Sequence, residues 1–323
     1  MEYNKLGKTD LRISRIGLGA WQFSYDWGLT EYREAKNIVS RALELGINFF
    51  DTAMVYGVGL SENILGKALR EIGIKRDEVV VSTKIPGDFL NPQDIYKSVQ
   101  KSLQILGLRY IDILLAHWPP CWHNFPTYKY ARALEKLVKI GYVNYLGLSN
   151  FPIELVESFR NSLASSDVEV LQIRYNLVER GAEEELIPYA EAYKITVQAW
   201  SPIAKGALTG KYTLENLPRF DDVRSRDPIF DLENFSKIWP IVEKLREIGE
   251  KYGKKPVQVA LNWLIMSSPV VVPIPGAKNI QQVEEFAEST EWRMNFDDWR
   301  LLEELSSRVN VQYSFSYLKY KEF

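Results

Sequence analysis

The sequence predicts an α/β protein, a (β/α)8 TIM barrel with an N-terminal β-hairpin and an extra C-terminal helix. Three observations carry that expectation. Apolar runs of strand length alternate with amphipathic helical segments about eight times. The runs are apolar throughout, as strands are when helices cover both faces of their sheet. The length, 323 residues, suits one barrel domain over 1–323. An open doubly wound sheet is the rival. It needs fewer units, and the early pair Gly17 and Gly19 lacks the third glycine of a dinucleotide fingerprint and opens no helix.

The elements follow in order. Gly7, Lys8, Thr9 and Asp10 supply turn chemistry inside MEYNKLGKTDLRIS, which reads as a hairpin. The strands are RIGLGAW, INFFDTA, EVVVSTK, YIDILLAHW, VNYLGLSN, VEVLQIRYN, TVQAWSPI and VVVPIPG. Between them, EYREAKNIVSRALELG and SENILGKALREIG place apolar residues at i, i+3, i+4 and i+7. NPQDIYKSVQKSLQILG does the same, with Asn91 as N-cap and Pro92 at the first helical position. One connection is long, from about Ala204 to Asn234. It reads either as a flap over a bound anion or as a solvated excursion.

Composition narrows the function. A net charge of −2 without a basic stripe argues against nucleic acid. The charged N-terminus has no apolar signal region, and no window approaches the ~20 apolar residues of a membrane span. The single cysteine, Cys121, rules out an internal disulfide and fits a reducing compartment, so the expected location is cytoplasmic. Two histidines and one cysteine argue against a zinc site. Cys121 and His123 read as plain loop residues. Oligomeric state is not legible.

Active-site groups of a barrel sit at the C-terminal ends of its strands. The second run ends near Asp51, with Tyr56 in the loop beyond. The third ends at Lys84, the fourth at His117, the fifth at Ser149 and Asn150. The sixth carries Gln172, and the seventh Trp200 and Ser201. A carboxylate, a phenol, an ammonium and an imidazole on one rim suit carbonyl reduction. The expectation is that Lys84 lowers the Tyr56 pKa from ~10 so that the phenol acts as an acid. Asp51 would keep Lys84 charged, His117 would orient the substrate oxygen, and a cofactor would supply hydride. The bland alternative is a structural Asp51–Lys84 ion pair.

The motifs DTAMVYG, STK, LLAHWP, GLSNF, QIRYN, AWSPIAKGALTGKY and IPGAK stand in one order along nearly the whole chain. In this the sequence resembles the aldo-keto reductases, and within them the branch that includes potassium-channel β subunits. The resemblance implies a catalytic tetrad of Asp51, Tyr56, Lys84 and His117, with NADPH as hydride donor and a small carbonyl compound as substrate. It implies that Ser149, Asn150 and Gln172 hold the nicotinamide carboxamide and that Trp200 stacks on its ring. Ser201, Pro202, Ile203, Ala204, Gly206, Leu208 and Lys211 match the pyrophosphate loop. Gly276, Lys278, Gln282 and Glu285 match the adenosine end. The family pattern usually closes this segment with Glu-Asn; here the pair is Glu285 and Phe286.

Lys278 reads as the 2′-phosphate contact that favours NADPH over NADH, with Arg224, Arg226 or Lys211 adding to it. Trp21, Met54 and Trp118 are assigned to the substrate pocket, with Trp122 and Tyr25 as further aromatic candidates. Two other functions compete. One is a lyase using Lys84 as a Schiff base, which needs an uncharged lysine. The other is a regulatory subunit that binds the cofactor and turns over slowly.

Overall fold

A ring of parallel strands, taken up in the order in which the chain makes them, frames the molecule. The computed structural model describes residues 1–28, 31–120 and 125–311. Cys121, Trp122, His123 and the aromatic stretch from residue 312 onward therefore lie outside the described residues. The hairpin is β1 (Tyr3–Lys5) against β2 (Arg12–Ser14), antiparallel. The sheet runs β3 (Leu18–Gly19), β4 (Phe49–Asp51), β5 (Val80–Ile85), β6 (Ile111–Ala116), β7 (Val143–Ser149), β8 (Val168–Arg174), β9 (Thr196–Trp200) and β10 (Val271–Pro273). Each neighbour pairs in parallel. The predicted strands are all present, each shorter than its apolar run.

The ring closes where β3 meets β10. Gly17 N–H donates to Pro273 O and Gly19 N–H to Pro275 O, both at 2.9 Å, and Gly19 bridges Gly276. Glycine is needed at this seam because the backbones approach closely. A Cβ on Gly19 would stand 2.9 Å from Ile274 O.

Helices α1 (Tyr32–Glu44), α2 (Leu60–Ile72), α3 (Pro92–Leu106), α4 (Thr127–Lys139), α5 (Ile153–Ser162) and α6 (Leu186–Tyr193) alternate with the strands. Asn91 caps α3, accepting from the N–H groups of Gln93 and Asp94 at 3.1 and 2.9 Å, and Pro92 opens it as expected. Two helices separate β9 from β10: α7 (Leu232–Tyr252) and α8 (Pro256–Ser267). After β10 come α9 (Ile280–Glu288) and α10 (Phe296–Ser306), the latter the additional C-terminal helix. The long connection after β9 is a chain of short 3-10 turns at 204–209, 223–226 and 228–230, ending at α7.

Strand parity decides what reaches the interior. On β4, Phe50 packs outward against α1 and α2 while Phe49 points inward with Val80, Ile113, Leu115, Val170 and Val272. Leu6 and Ile13 of the hairpin join that inner cluster and are fully buried. The hairpin turn is tied to the strand starts: Gly7 N–H donates to Thr196 Oγ1 at 2.8 Å and Lys8 N–H to Glu169 Oε2 at 2.9 Å. One end of the barrel is thus plugged with apolar residues. Each of the larger ones contributes about 1.5–3 kcal/mol by burial. The other end is left to polar groups.

Gly19→Ala is expected to push the β3–β10 seam apart and destabilise the fold by about 1–3 kcal/mol. Thermal unfolding should show a midpoint lowered by several degrees. An unchanged midpoint would mean that the seam tolerates a side chain.

Candidate active site

The same parity that turns Phe49 inward turns Asp51 inward two residues later. On β5 it does so for Val80, Ser82 and Lys84 in succession. Lys84 is fully buried, and its ammonium meets three acceptors. Asp51 Oδ2 lies at 2.6 Å, Thr52 O at 2.8 Å and the Tyr56 hydroxyl at 3.2 Å. Those three bonds use all three N–H of the lysine. The loop that carries Tyr56 is held from behind by Ser61, whose hydroxyl donates to Ala20 O at 2.7 Å and meets Thr52 Oγ1 at 2.8 Å. His117 follows β6, its ring edge-on to Tyr56 at 5.9 Å. Trp21 stacks on the other side of the phenol, 5.6 Å away, held by a 2.8 Å bond from its indole N–H to Asp26.

The charges follow from this packing. Burial works against the Lys84 charge, but Asp51 and then Tyr56 outweigh it, and the ammonium is held above its ordinary pKa. A Schiff-base lysine needs the opposite, so the lyase reading is not supported. Tyr56 corrects an expectation. Burial pushes its phenol above the usual value, Lys84 opposes this only in part, and Asp51 adds to the rise. The resting tyrosine is therefore a firmly protonated phenol. His117 is held well below 6.5 by burial and by Lys84, so its imidazole is neutral. Its Nδ1 is buried with no partner among the described residues.

These groups open into a cleft of about 940 Å³ whose wall runs from Trp21, Tyr56, His117 and Trp118 past Trp200 to Lys278. Ser149, Asn150, Gln172, Ser201, Pro202, Ile203, Gly206, Lys211, Gly276, Gln282 and Glu285 also line it. Asn150 is tied in place, its amide donating to His117 O at 3.0 Å and accepting from the Trp200 indole at 3.1 Å.

Three assigned residues are placed elsewhere. Ala204 and Leu208 are fully buried in the core beneath the loop, because their apolar side chains pack inward, and neither lines the cleft. Met54 is not in the wall. It has the opposite parity to Asp51, and its N–H extends the ladder to Lys84 O at 3.4 Å. Tyr25 is largely exposed and Arg226 exposed, both outside the wall. Phe286 borders the cleft but is only 2% exposed, packed with Ala277 and Val283. Core packing thus occupies the position where the family pattern has a polar residue. Glu285 accepts from Lys255 Nζ at 2.5 Å.

Sequence reasoning missed several residues in and behind the wall. Gln198 is in the interior beside Gln172, and Arg174 is in the wall two residues beyond Gln172; strand parity alone would have placed both. Lys205 pairs with Asp227 at 2.8 Å, and Arg174 reaches the same carboxylate at 3.1 Å. Burial favours the neutral acid, yet Arg174 and Lys205 hold Asp227 at about 2. No sequence pattern announces that cluster. Among the described residues, no group of three His, Cys, Asp or Glu is placed to hold a metal ion. No helix among them is long and apolar enough to cross a membrane.

The sequence model of the Aldo/keto reductase family matches residues 15–307. The chain belongs to that family. Similar proteins include the aldo-keto reductase YhdN of Bacillus subtilis, 35% identical over 92% of this chain and 91% of that one. A probable voltage-gated potassium channel subunit beta of Oryza sativa is 32% identical over 88% and 90%. The NADH-specific methylglyoxal reductase of Escherichia coli is 30% identical over 94% and 98%. Among solved structures, the glycerol dehydrogenase AKR11B4 of Gluconobacter oxydans superposes with a TM-score of 0.85 at 30% identity, covering 97% of each chain. The family membership makes the chain an oxidoreductase and the eight-strand ring a TIM barrel.

Two outcomes are expected of this geometry. Asp51→Asn leaves the Lys84 charge buried without its counter-ion and should destabilise the fold by about 3–5 kcal/mol, measurable by denaturant unfolding. His117 is neutral when folded and protonates near 6.5 when unfolded. Below that pH the unfolded state binds the extra proton, so stability falls as pH drops from 6.5. His117→Asn should flatten that part of the Tm-versus-pH curve; an unchanged slope would put the proton elsewhere.

Proposed function

We propose that the protein reduces aldehydes or ketones to alcohols with NADPH, Tyr56 acting as general acid. One observation carries the reading: the Tyr56 hydroxyl sits 3.2 Å from a buried ammonium that is itself fixed by Asp51. A phenol that gives its proton to a developing alkoxide becomes a phenolate. Lys84 is placed to receive that charge at the moment it forms. The high resting pKa fits this use, because the proton stays on Tyr56 until a carbonyl oxygen demands it. His117, neutral, offers a hydrogen bond to the same oxygen without repelling Lys84. Trp21 and Trp118 give the pocket flat apolar walls that exclude water and suit small or aromatic carbonyl compounds.

The cleft residues fit a nicotinamide dinucleotide, which supplies the hydride when bound. The Ser149 hydroxyl can donate to a carboxamide and the Gln172 carbonyl can accept from it. Ser201 Oγ is buried without a partner among the described residues, at the start of a loop whose Gly206 takes a positive φ of 102° and lines the cleft. At the far end, Lys278 loses basicity first through burial and then through Arg224. Both cations face the Asp222 carboxylate, which Arg224 grips and Lys278 approaches at 3.7 Å; a 2′-phosphate, and hence NADPH, would draw Lys278 from that looser contact. The NADH-specific relative makes this a point to test. We place the protein in the cytoplasm on its single cysteine, and its regulatory use is judged by turnover.

NADPH binding followed by protein fluorescence, then nicotinamide absorbance with a panel of aldehydes, tests the proposal. Binding with turnover supports the reductase. Binding without turnover on any aldehyde favours the regulatory reading. Tyr56→Phe should cut kcat by about 10²–10⁴-fold while NADPH affinity stays within about twofold. Wild-type reduction should hold its rate through neutral pH and fall only on the alkaline side of the ordinary tyrosine range, as the acid is lost. Lys278→Met should weaken NADPH about tenfold and NADH little; equal losses would refute the 2′-phosphate assignment.

A further inference from the structure

Behind Asp51 the side-chain amides form a chain of fixed polarity. Asp51, ion-paired to Lys84, only accepts. The Gln172 atom 2.8 Å from Asp51 Oδ1 is therefore its nitrogen, Nε2. The same nitrogen lies 2.6 Å from Gln198, which answers with its carbonyl Oε1. Both N–H of Gln172 are then used, and its carbonyl oxygen, an acceptor, is what remains for the cleft that Gln172 lines. The bond to Asp51 also crosses the barrel, since β4 and β8 are four strands apart in a ring of eight.

Gln198 is the unexplained member. It is the register partner of Gln172 on the inner face of β9 and is fully buried. Its own Nε2 has no partner among the described residues. Its other register neighbour, Val272, is apolar and belongs to the inner core. An apolar side chain would pack there without leaving a buried donor unsatisfied, so packing does not account for a glutamine. What Gln198 does provide is the second acceptor for Gln172.

We propose that Gln198 is a positioning residue for the cofactor. By taking the second N–H of Gln172 it fixes the plane of that amide. Gln172 then presents only an acceptor, and the site selects dinucleotides whose ring substituent donates a hydrogen bond. The inference rests on the reductase reading above and adds a specificity to it: carboxamide over methyl ketone at the ring.

The test compares dissociation constants for NADP+ and for 3-acetylpyridine adenine dinucleotide phosphate, read by quenching of protein fluorescence. The second probe replaces the carboxamide NH2 by a methyl group and cannot donate. Wild type is expected to prefer NADP+ by about five- to tenfold. Gln198→Met should bring the ratio to within about twofold of unity, and Gln198→Glu, which keeps an acceptor, should restore it. The charge added by Glu acts on both dinucleotides alike and leaves the ratio readable. Met exchanges one unpartnered buried donor for another, so its melting midpoint should stay near wild type. If it does not fold, Gln198→Thr, too short to reach Gln172, carries the same expectation. A wild-type ratio in the Met or Thr variant, or no discrimination in wild type, overturns the inference alone. A wild type that binds neither dinucleotide overturns the reductase reading and the inference with it.

Discussion

The Asp51–Lys84 ion pair is the constraint on which the site depends. Neither charge has access to bulk water, and desolvating two ions costs several kcal/mol each unless their bonds are satisfied. Here they are: the ammonium has three acceptors, and the carboxylate takes Lys84 on one oxygen and Gln172 on the other. Satisfying them ties β4 to β5 and, across the axis, to β8. The open end of the barrel is therefore held by polar geometry where the plugged end is held by apolar packing. The position of the Tyr56 hydroxyl follows, because it completes the coordination of Lys84.

This explains why the buried lysine does not ionise the tyrosine at rest. An ammonium already neutralised by Asp51 has less field to spare, and burial of the phenol outweighs what remains. In the proposed reduction the pair would instead stabilise charge that appears only when a proton has left. Stabilisation confined to the reacting state is what accelerates a step; a phenolate made in advance would bring no proton to give. The same economy applies to His117, whose neutrality leaves Lys84 as the single positive charge beside the Tyr56 hydroxyl.

The strand-borne half of the site was legible because it obeys a rule of period two. Asp51, Lys84 and His117 each end an apolar run and Gln172 lies within one, and parity sends them inward. The eight runs also announced the barrel, since their apolar length has no other use. The loop-borne half was legible only by resemblance. Nothing in the composition of residues 204–234 says that Ala204 and Leu208 turn into the core, or that Asp227 gathers Lys205 and Arg174. Those contacts join positions far apart in sequence, with no period to betray them. The tyrosine pKa was misjudged for a related reason. A partner residue can be read from a motif, whereas the depth of burial around it is a property of the packed whole.

The two halves also differ in how their backbones are made. Asp51, Lys84 and His117 stand at or just past the ends of regular strands, where small displacements meet stiff ladders of hydrogen bonds. The β9 loop instead holds Ser201, Ala204 and Lys205 at left-handed φ of 53°, 48° and 52°, which costs roughly 1–2 kcal/mol per residue relative to ordinary backbone. Glycine would remove that cost at each position, yet the sequence places glycine only at Gly206 and Gly210, where φ is 102° and 73°. The retained side chains have work to do. Ser201 offers a buried hydroxyl, Ala204 anchors the loop in the core, and Lys205 holds Asp227. Strain of this kind persists only where neighbours over-determine the chain. The Lys205–Asp227–Arg174 cluster supplies that restraint at the rim, and the Arg174 guanidinium 5.3 Å over the Trp200 ring carries it to the platform beside the tetrad.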